Sequence, residues 1–88
     1  ENIKLIDVRQ TIEHQHGNIP SINIPIGDLV ENLMAYDTEE KIILYCKTGR
    51  RSEKAIQIML ERGYNNITHL DGGLVEYVKH FNSDINIL

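Results

Sequence analysis

The sequence predicts an α/β domain with a central, mostly parallel sheet flanked by helices. Short, nearly continuous apolar runs at residues 4–8, 41–45 and 67–70 suit strands buried on both faces. Segments with apolar residues at helical spacing follow, at residues 27–34, 52–62 and 74–81. Strands that alternate with helices in this way build parallel sheets, because a parallel neighbour is reached only through a crossover. With 88 residues the chain is one domain, large enough for a core but with modest surplus stability.

Residues 4–8, Lys-Leu-Ile-Asp-Val, form the first strand, with Asp7 and Arg9 at its carboxyl end. In open α/β sheets that end faces the ligand, although an aspartate there is equally suited to capping a turn. Residues 10–18 are polar and read as a helical turn plus loop, with His14 and His16 as solvated loop histidines rather than metal ligands. Residues 19–24, fenced by Pro20 and Pro25, read as a short strand. Leu29, Val30, Leu33 and Met34 mark a helix that Asp28 is placed to cap. Residues 41–45 form the strand that leads into Cys46. The helix beyond it presents Ala55, Ile56, Met59 and Leu60 on one face, with Ser52 as a candidate cap and Gly63 at its C′ position. Asn65-Asn66 is a turn, and residues 67–70 are a further strand on which His69 reads as surface-facing, a catalytic base being the less favoured role. Gly72-Gly73 permits a tight turn and close backbone approach. Leu74, Tyr77, Val78 and Phe81 mark the final helix, and the apolar residues of the 82–88 tail are expected to dock on the domain or a partner.

Composition narrows the function classes. A single cysteine excludes an internal disulfide framework and fits a reducing, cytoplasmic compartment. No apolar run approaches the roughly 20 residues that span a bilayer, so no membrane role is expected. The net charge of −4 weighs against nucleic-acid binding. Locally the balance reverses: Lys47, Arg50 and Arg51 lie within five positions of Cys46, which points to a small anionic ligand.

The stretch Cys46-Lys47-Thr48-Gly49-Arg50-Arg51-Ser52 therefore carries the chemistry. A strand that passes through a short loop into a helix aims the free N–H groups of that helix at the loop. Those dipoles, with the three cations, favour thiolate over thiol and lower the Cys46 pKa from its free value of about 8.5. A lone cysteine after an apolar strand is often only a small buried hydrophobe. Such a cysteine requires neither Gly49 nor the flanking cations.

Cys-x-x-Gly-x-Arg-Ser after a strand resembles the active-site loop of the rhodanese domain, the sulfurtransferase family. Asp7-Val8-Arg9 resembles that family's Asp-x-Arg signature. Residues 17–25, Gly-Asn-Ile-Pro-Ser-Ile-Asn-Ile-Pro, resemble its Gly-His-Ile-Pro-Gly-Ala-x-Asn-Ile-Pro stretch, with Ser21 alone where the family has two residues. That deletion should tighten the bend before the strand. Leu70-Asp71-Gly72-Gly73 resembles the family's closing Leu-x-Gly-Gly. The resemblance spans about residues 4–81. It implies a rhodanese-like fold lacking the family's first strand and helix, as in a domain trimmed or cut from a longer polypeptide. The 45–49 and 69–73 motifs and the tail are also similar to the C-terminal rhodanese domain of adenylyltransferases of the molybdopterin and thiamine sulfur-carrier type.

What the resemblance implies is a sulfurtransferase. Cys46 would be the catalytic nucleophile that takes a sulfane sulfur from thiosulfate, or from the persulfide of a cysteine desulfurase, and passes it to a thiol or a small sulfur-carrier protein. Lys47, Thr48, Gly49, Arg50, Arg51 and Ser52 would bind substrate and stabilise the persulfide through N–H groups from Lys47 to Arg51. Lys47 and Arg50 would be the outer charges. Arg51 would turn inward to brace the loop, against Asp7, with Asp7 and Arg9 as supporting residues. No metal or organic cofactor is implied. Two other readings remain open. A phosphatase or arsenate reductase needs five residues between cysteine and arginine, whereas four separate Cys46 from Arg51. A sulfur-relay or docking module without turnover is the second.

Overall fold

The computed structural model describes residues 2–88. Its strands are β1 (Ile3–Asp7), β2 (Ile22–Asn23), β3 (Lys41–Tyr45) and β4 (Ile67–His69), and its helices are α1 (Thr11–His16), α2 (Leu29–Asn32), α3 (Arg50–Glu61) and α4 (Gly73–Phe81). The strands form one parallel sheet in the order β2-β1-β3-β4. The chain leaves β1 toward one edge and β3 toward the other. The crevice between these two central strands is therefore the switch point where open α/β sheets bind ligands. Register places Asp7 beside Tyr45 and Leu44 beside His69. The carboxyl ends of β1, β3 and β4 thus meet at one rim of the sheet.

The core gathers Ile6, Val8, Ile42, Leu44, Leu29, Leu33, Ala55 and Met59, all buried. Helix α3 begins two residues before Ser52 and buries Ser52, Ala55 and Met59, while Leu60 of the expected apolar face is half exposed. Gly63 stands at C′ with φ +90°. The expected helix over residues 27–34 is a four-residue α2 between two 3-10 turns, and Asp28 makes no capping bond. Only Leu29 and Leu33 face the core, whereas Met34 is 90% exposed. The Tyr64 hydroxyl donates to the carbonyls of Leu33 and Tyr36, a tertiary bond that draws the chain out of helix. The strand expected over residues 19–24 pairs only at Ile22 and Asn23. The bend before it is tight, with Ser21 Oγ donating to Ile19 O at 2.5 Å. The tail returns to the domain, where the Asn86 backbone lies against Gly17.

Two polar devices hold the ligand rim from behind. The first is a fully buried ion pair in which Arg9 Nη2 meets Asp7 Oδ2 at 2.7 Å and Arg9 Nε meets Oδ1 at 2.9 Å. Arg9 also donates to Gly17 O, its guanidinium lies 5.6 Å from the Tyr45 ring centroid, and His14 Nδ1 contacts Asp7 Oδ2 at 2.8 Å. Burial pushes the Asp7 carboxyl up, but its bonds to Arg9 and His14 outweigh that and hold it below the usual range. His14 is therefore no solvated loop residue. It ties α1 to the first strand.

The second device is a bidentate pair between Arg51 of α3 and Glu13 of α1, at 2.6 and 3.0 Å. Arg51 braces the loop as expected, but against Glu13 and not Asp7, because Arg9 and His14 already occupy the Asp7 carboxylate. The Asp7 and Arg9 side chains bond to each other, to His14 and to Gly17 rather than to residues 46–52. They support the loop through α1, which carries Glu13.

Two predictions follow from this framework. The Arg51 guanidinium draws the Glu13 carboxyl down from 4.5 to about 2. A carboxyl lowered in the folded state contributes stability that is complete above its unfolded pKa and vanishes as pH falls through the folded one. Glu13→Gln should cost about 1–2 kcal/mol near pH 6, discounted for the partial exposure of Arg51, and nothing below pH ~2. Denaturant titrations of both proteins across pH check this, and a pH-independent difference would refute it. Gly73 has φ +66°, and a Cβ there would sit 2.6 Å from the Lys47 carbonyl. Gly63 also has positive φ but nothing within 4 Å. Gly73→Ala should lower the Tm on the order of 10 °C, and Gly63→Ala should lower it by about half as much or less; equal losses would show that the close approach is unimportant.

Candidate active site

Cys46 follows the last residue of β3 and is 1% exposed. Its sulfur accepts N–H bonds from Gly49 at 3.0 Å and from Ser52 at 3.4 Å, and the Ser52 hydroxyl stands 3.6 Å away. Gly49 makes this convergence possible. It adopts φ +102° at the N-cap of α3, a conformation that turns the chain sharply enough for N–H groups three and six positions on to face one atom. The donors differ from the expected run from Lys47 to Arg51, because only some N–H groups in a curled loop point inward.

Burial pushes the Cys46 thiol up, yet the Ser52 N–H, the Ser52 hydroxyl and the Gly49 and Thr48 N–H groups outweigh it, and the thiol ends below its ordinary value. Fixed dipoles dominate, not the three cations. Arg51 is engaged by Glu13. Arg50 is exposed at the rim of a hollow of about 140 Å³, where Glu53 and Asp71 share the lining. The entrance is therefore of mixed charge. Lys47 is half-buried and Thr48 exposed.

The loop is also gripped from the side of α4. Leu74 N–H donates to Cys46 O at 2.9 Å, and Val75 N–H donates to Lys47 O at 3.0 Å. These bonds turn both carbonyls away from the sulfur and toward the free N–H groups of α4. Gly72 and Gly73, at φ +78° and +66°, allow the approach.

Ser52 is the hinge of the site. Rather than capping α3 from outside, it lies within the helix, fully buried, with its hydroxyl 3.2 Å from Gly49 O and 2.8 Å from His69 Nδ1. His69 is accordingly half-buried and joined to the loop, not surface-facing as its strand position suggested. Glu13 and His69 are the residues that sequence reasoning did not place at the site. Glu13 lies 38 positions from Arg51, and no local signal marks the pair. A larger hollow of about 310 Å³ lies beyond Gly73, between Asp71 and the Tyr77 and Phe81 rings, and Cys46 does not line it.

No helix among the described residues is long and apolar enough to cross a membrane. The chain is 35% identical over 81 residues to the tRNA uridine(34) hydroxylase of Hamiltonella defensa subsp. Acyrthosiphon pisum (strain 5AT), covering 84% of this chain and 23% of that protein. It therefore spans about a quarter of that relative's length. Among solved structures it resembles a rhodanese with anions from E. coli, at 32% identity and TM-score 0.78, covering 85% of this chain and 91% of that one. It also resembles an NAD-dependent persulfide reductase from A. fulgidus, at 32% identity and TM-score 0.68, covering 82% of this chain and 13% of that one. The family model of the rhodanese-like domain matches residues 1–80, and with the Cys46 loop built as described the chain belongs to the rhodanese-like family.

Proposed function

We propose that this domain is a sulfurtransferase that carries a sulfane sulfur as a persulfide on Cys46. The observation that supports this best is a buried sulfur facing two backbone N–H groups and a hydroxyl. Such a site holds a thiolate ready for attack and would hold the negative charge of a terminal persulfide sulfur in the same donors.

The transfer takes two displacements. The Cys46 thiolate attacks the outer sulfur of thiosulfate. A new S–S bond forms, the old one breaks, and sulfite leaves with its electron pair. Cys46 is left as a persulfide anion, and the total charge is unchanged. A nucleophile then attacks the terminal sulfur, and the Cys46 thiolate is regenerated. Cyanide would leave as thiocyanate; a thiol would leave as a persulfide. With a cysteine desulfurase as donor, the leaving group in the first displacement is that protein's thiolate. In the cell the acceptor we favour is a protein thiol, which attacks the terminal sulfur as the nucleophile this step requires. A loop with four residues between Cys46 and Arg51 encloses a space suited to one sulfur atom, which favours this reading over phosphate chemistry.

Incubation with thiosulfate should raise the intact mass by one sulfur, removable by reductant. Cys46→Ala should show no gain and keep a Tm within a few degrees of the parent, the deleted group being small. A sulfur gained equally by the variant would place the chemistry elsewhere. Arg50→Ala, at the exposed rim, should raise the KM for thiosulfate roughly three- to tenfold with kcat little changed, as expected for a charge that attracts substrate without touching the transferred atom. An unchanged KM would remove Arg50 from substrate attraction.

A further inference from the structure

Building on the sulfur-transfer reading, we propose that His69 is a positioning residue that sets the direction of the Ser52 hydroxyl, and thereby decides whether that hydroxyl donates to the Cys46 sulfur. Once Cys46 is a thiolate, the Ser52 hydroxyl has one proton and three acceptors within reach: Cys46 Sγ at 3.6 Å, Gly49 O at 3.2 Å and His69 Nδ1 at 2.8 Å. The shortest contact is the one to the histidine. Its outcome depends on which ring nitrogen carries hydrogen.

With hydrogen on Nδ1, the imidazole donates to Ser52 Oγ. That donation fixes the rotor with its proton on the sulfur, the anionic acceptor, whereas a hydroxyl without it also bonds Gly49 O, the nearer of the two. With Nδ1 bare, the ring takes the hydroxyl proton. The sulfur is left with the N–H groups of Gly49 and Ser52 alone. Within either tautomer no proton passes between Ser52 and His69; passing from one tautomer to the other moves the ring hydrogen between Nδ1 and Nε2 and reverses the direction of that hydrogen bond. The need for that bond changes during turnover. The thiolate sulfur carries a full charge, whereas in the persulfide the same atom is a bridging sulfur and the charge lies one atom further out. A hydroxyl with an alternative partner can follow this change; one fixed on the sulfur cannot.

His69 is suitably placed. It ends β4, beside Leu44 in register, and lines the hollow over the loop together with Arg50 and Glu53 of α3 and Asp71 of the β4–α4 turn. Those three are the other ionisable side chains that line this hollow. Arg51, behind the loop, is paired with Glu13.

The test is a titration of the Cys46 thiolate by its absorbance near 240 nm, with Cys46→Ser subtracted. Because the chain has one cysteine, the difference reports that sulfur alone. Ser52→Ala should raise the midpoint by about one pH unit, the loss of one hydrogen bond to a charged acceptor, and His69→Leu by part of that, since the released hydroxyl divides between the sulfur and Gly49 O. The double variant should rise no further than Ser52→Ala, since His69 acts only through that hydroxyl. His69→Asn, whose amide can donate from the Nδ1 position, should recover most of the shift. If His69 merely pins β4 to α3, His69→Leu will lower the Tm and leave the midpoint where it is, which overturns the proposal. Additive shifts in the double variant overturn it too. The titration needs no sulfur donor. Shifted midpoints in a protein that neither thiosulfate nor a cysteine-desulfurase persulfide loads would support this positioning role and refute the sulfur-transfer reading. Normal loading with unmoved midpoints would do the reverse.

Discussion

Everything in this domain answers to one constraint: the Cys46 sulfur, which carries negative charge in the sulfur-transfer reading we propose, lies where water barely reaches it. A buried charge without partners is costly enough that the group would simply stay protonated. The chain meets that cost with backbone. Gly49 and Ser52 N–H groups and the Ser52 hydroxyl replace the lost water, and they are held in place before any substrate arrives. Donors fixed in advance need no reorganisation during the reaction, which is where such sites gain most.

Fixing those donors requires the loop to be gripped from several directions. Helix α4 takes the carbonyls of Cys46 and Lys47 on its first free N–H groups. Arg51 anchors the start of α3 to Glu13. Behind both, the Asp7–Arg9 pair and His14 hold α1 against β1. A buried ion pair adds little net stability when compared with apolar packing. Here it aligns α1, and through α1 it places the carboxylate that Arg51 needs. The glycines of the second motif have a matching purpose: only a residue without Cβ lets α4 come within bonding distance of the loop.

The mixed charge of the entrance separates two tasks. The Cys46 sulfur is stabilised from inside by dipoles, so the rim charges are free to govern encounter. In the reading we propose, Arg50 would attract an anionic donor, while Glu53 and Asp71, which share the lining of the hollow, would limit that attraction. A rim of this kind differs from the uniformly cationic loop that the sequence suggests, because the carboxylates come from a turn of α3 and from the turn after β4.

Much of this was visible in the residues alone. The buried strands, the helix after Cys46 and the glycine pair before α4 follow from apolar runs, 3.6-residue periodicity and backbone freedom, which are properties of neighbours in the chain. So does the nucleophile, since a strand, a loop with Gly49 and a helix start necessarily aim N–H groups at Cys46. Other features depended on residues far apart. Arg51 chose Glu13 because Asp7 was already taken. His69 joined the site because Ser52, one turn into α3, came within 2.8 Å of β4. The helix expected at residues 27–34 broke where Tyr64 reached two carbonyls. The sequence by itself determined most of the elements, the family resemblance and the candidate nucleophile, because those rest on local spacing. Only the tertiary structure decided which side chains support that sulfur, because each partner was selected by competition among groups that the parallel sheet brings to one rim.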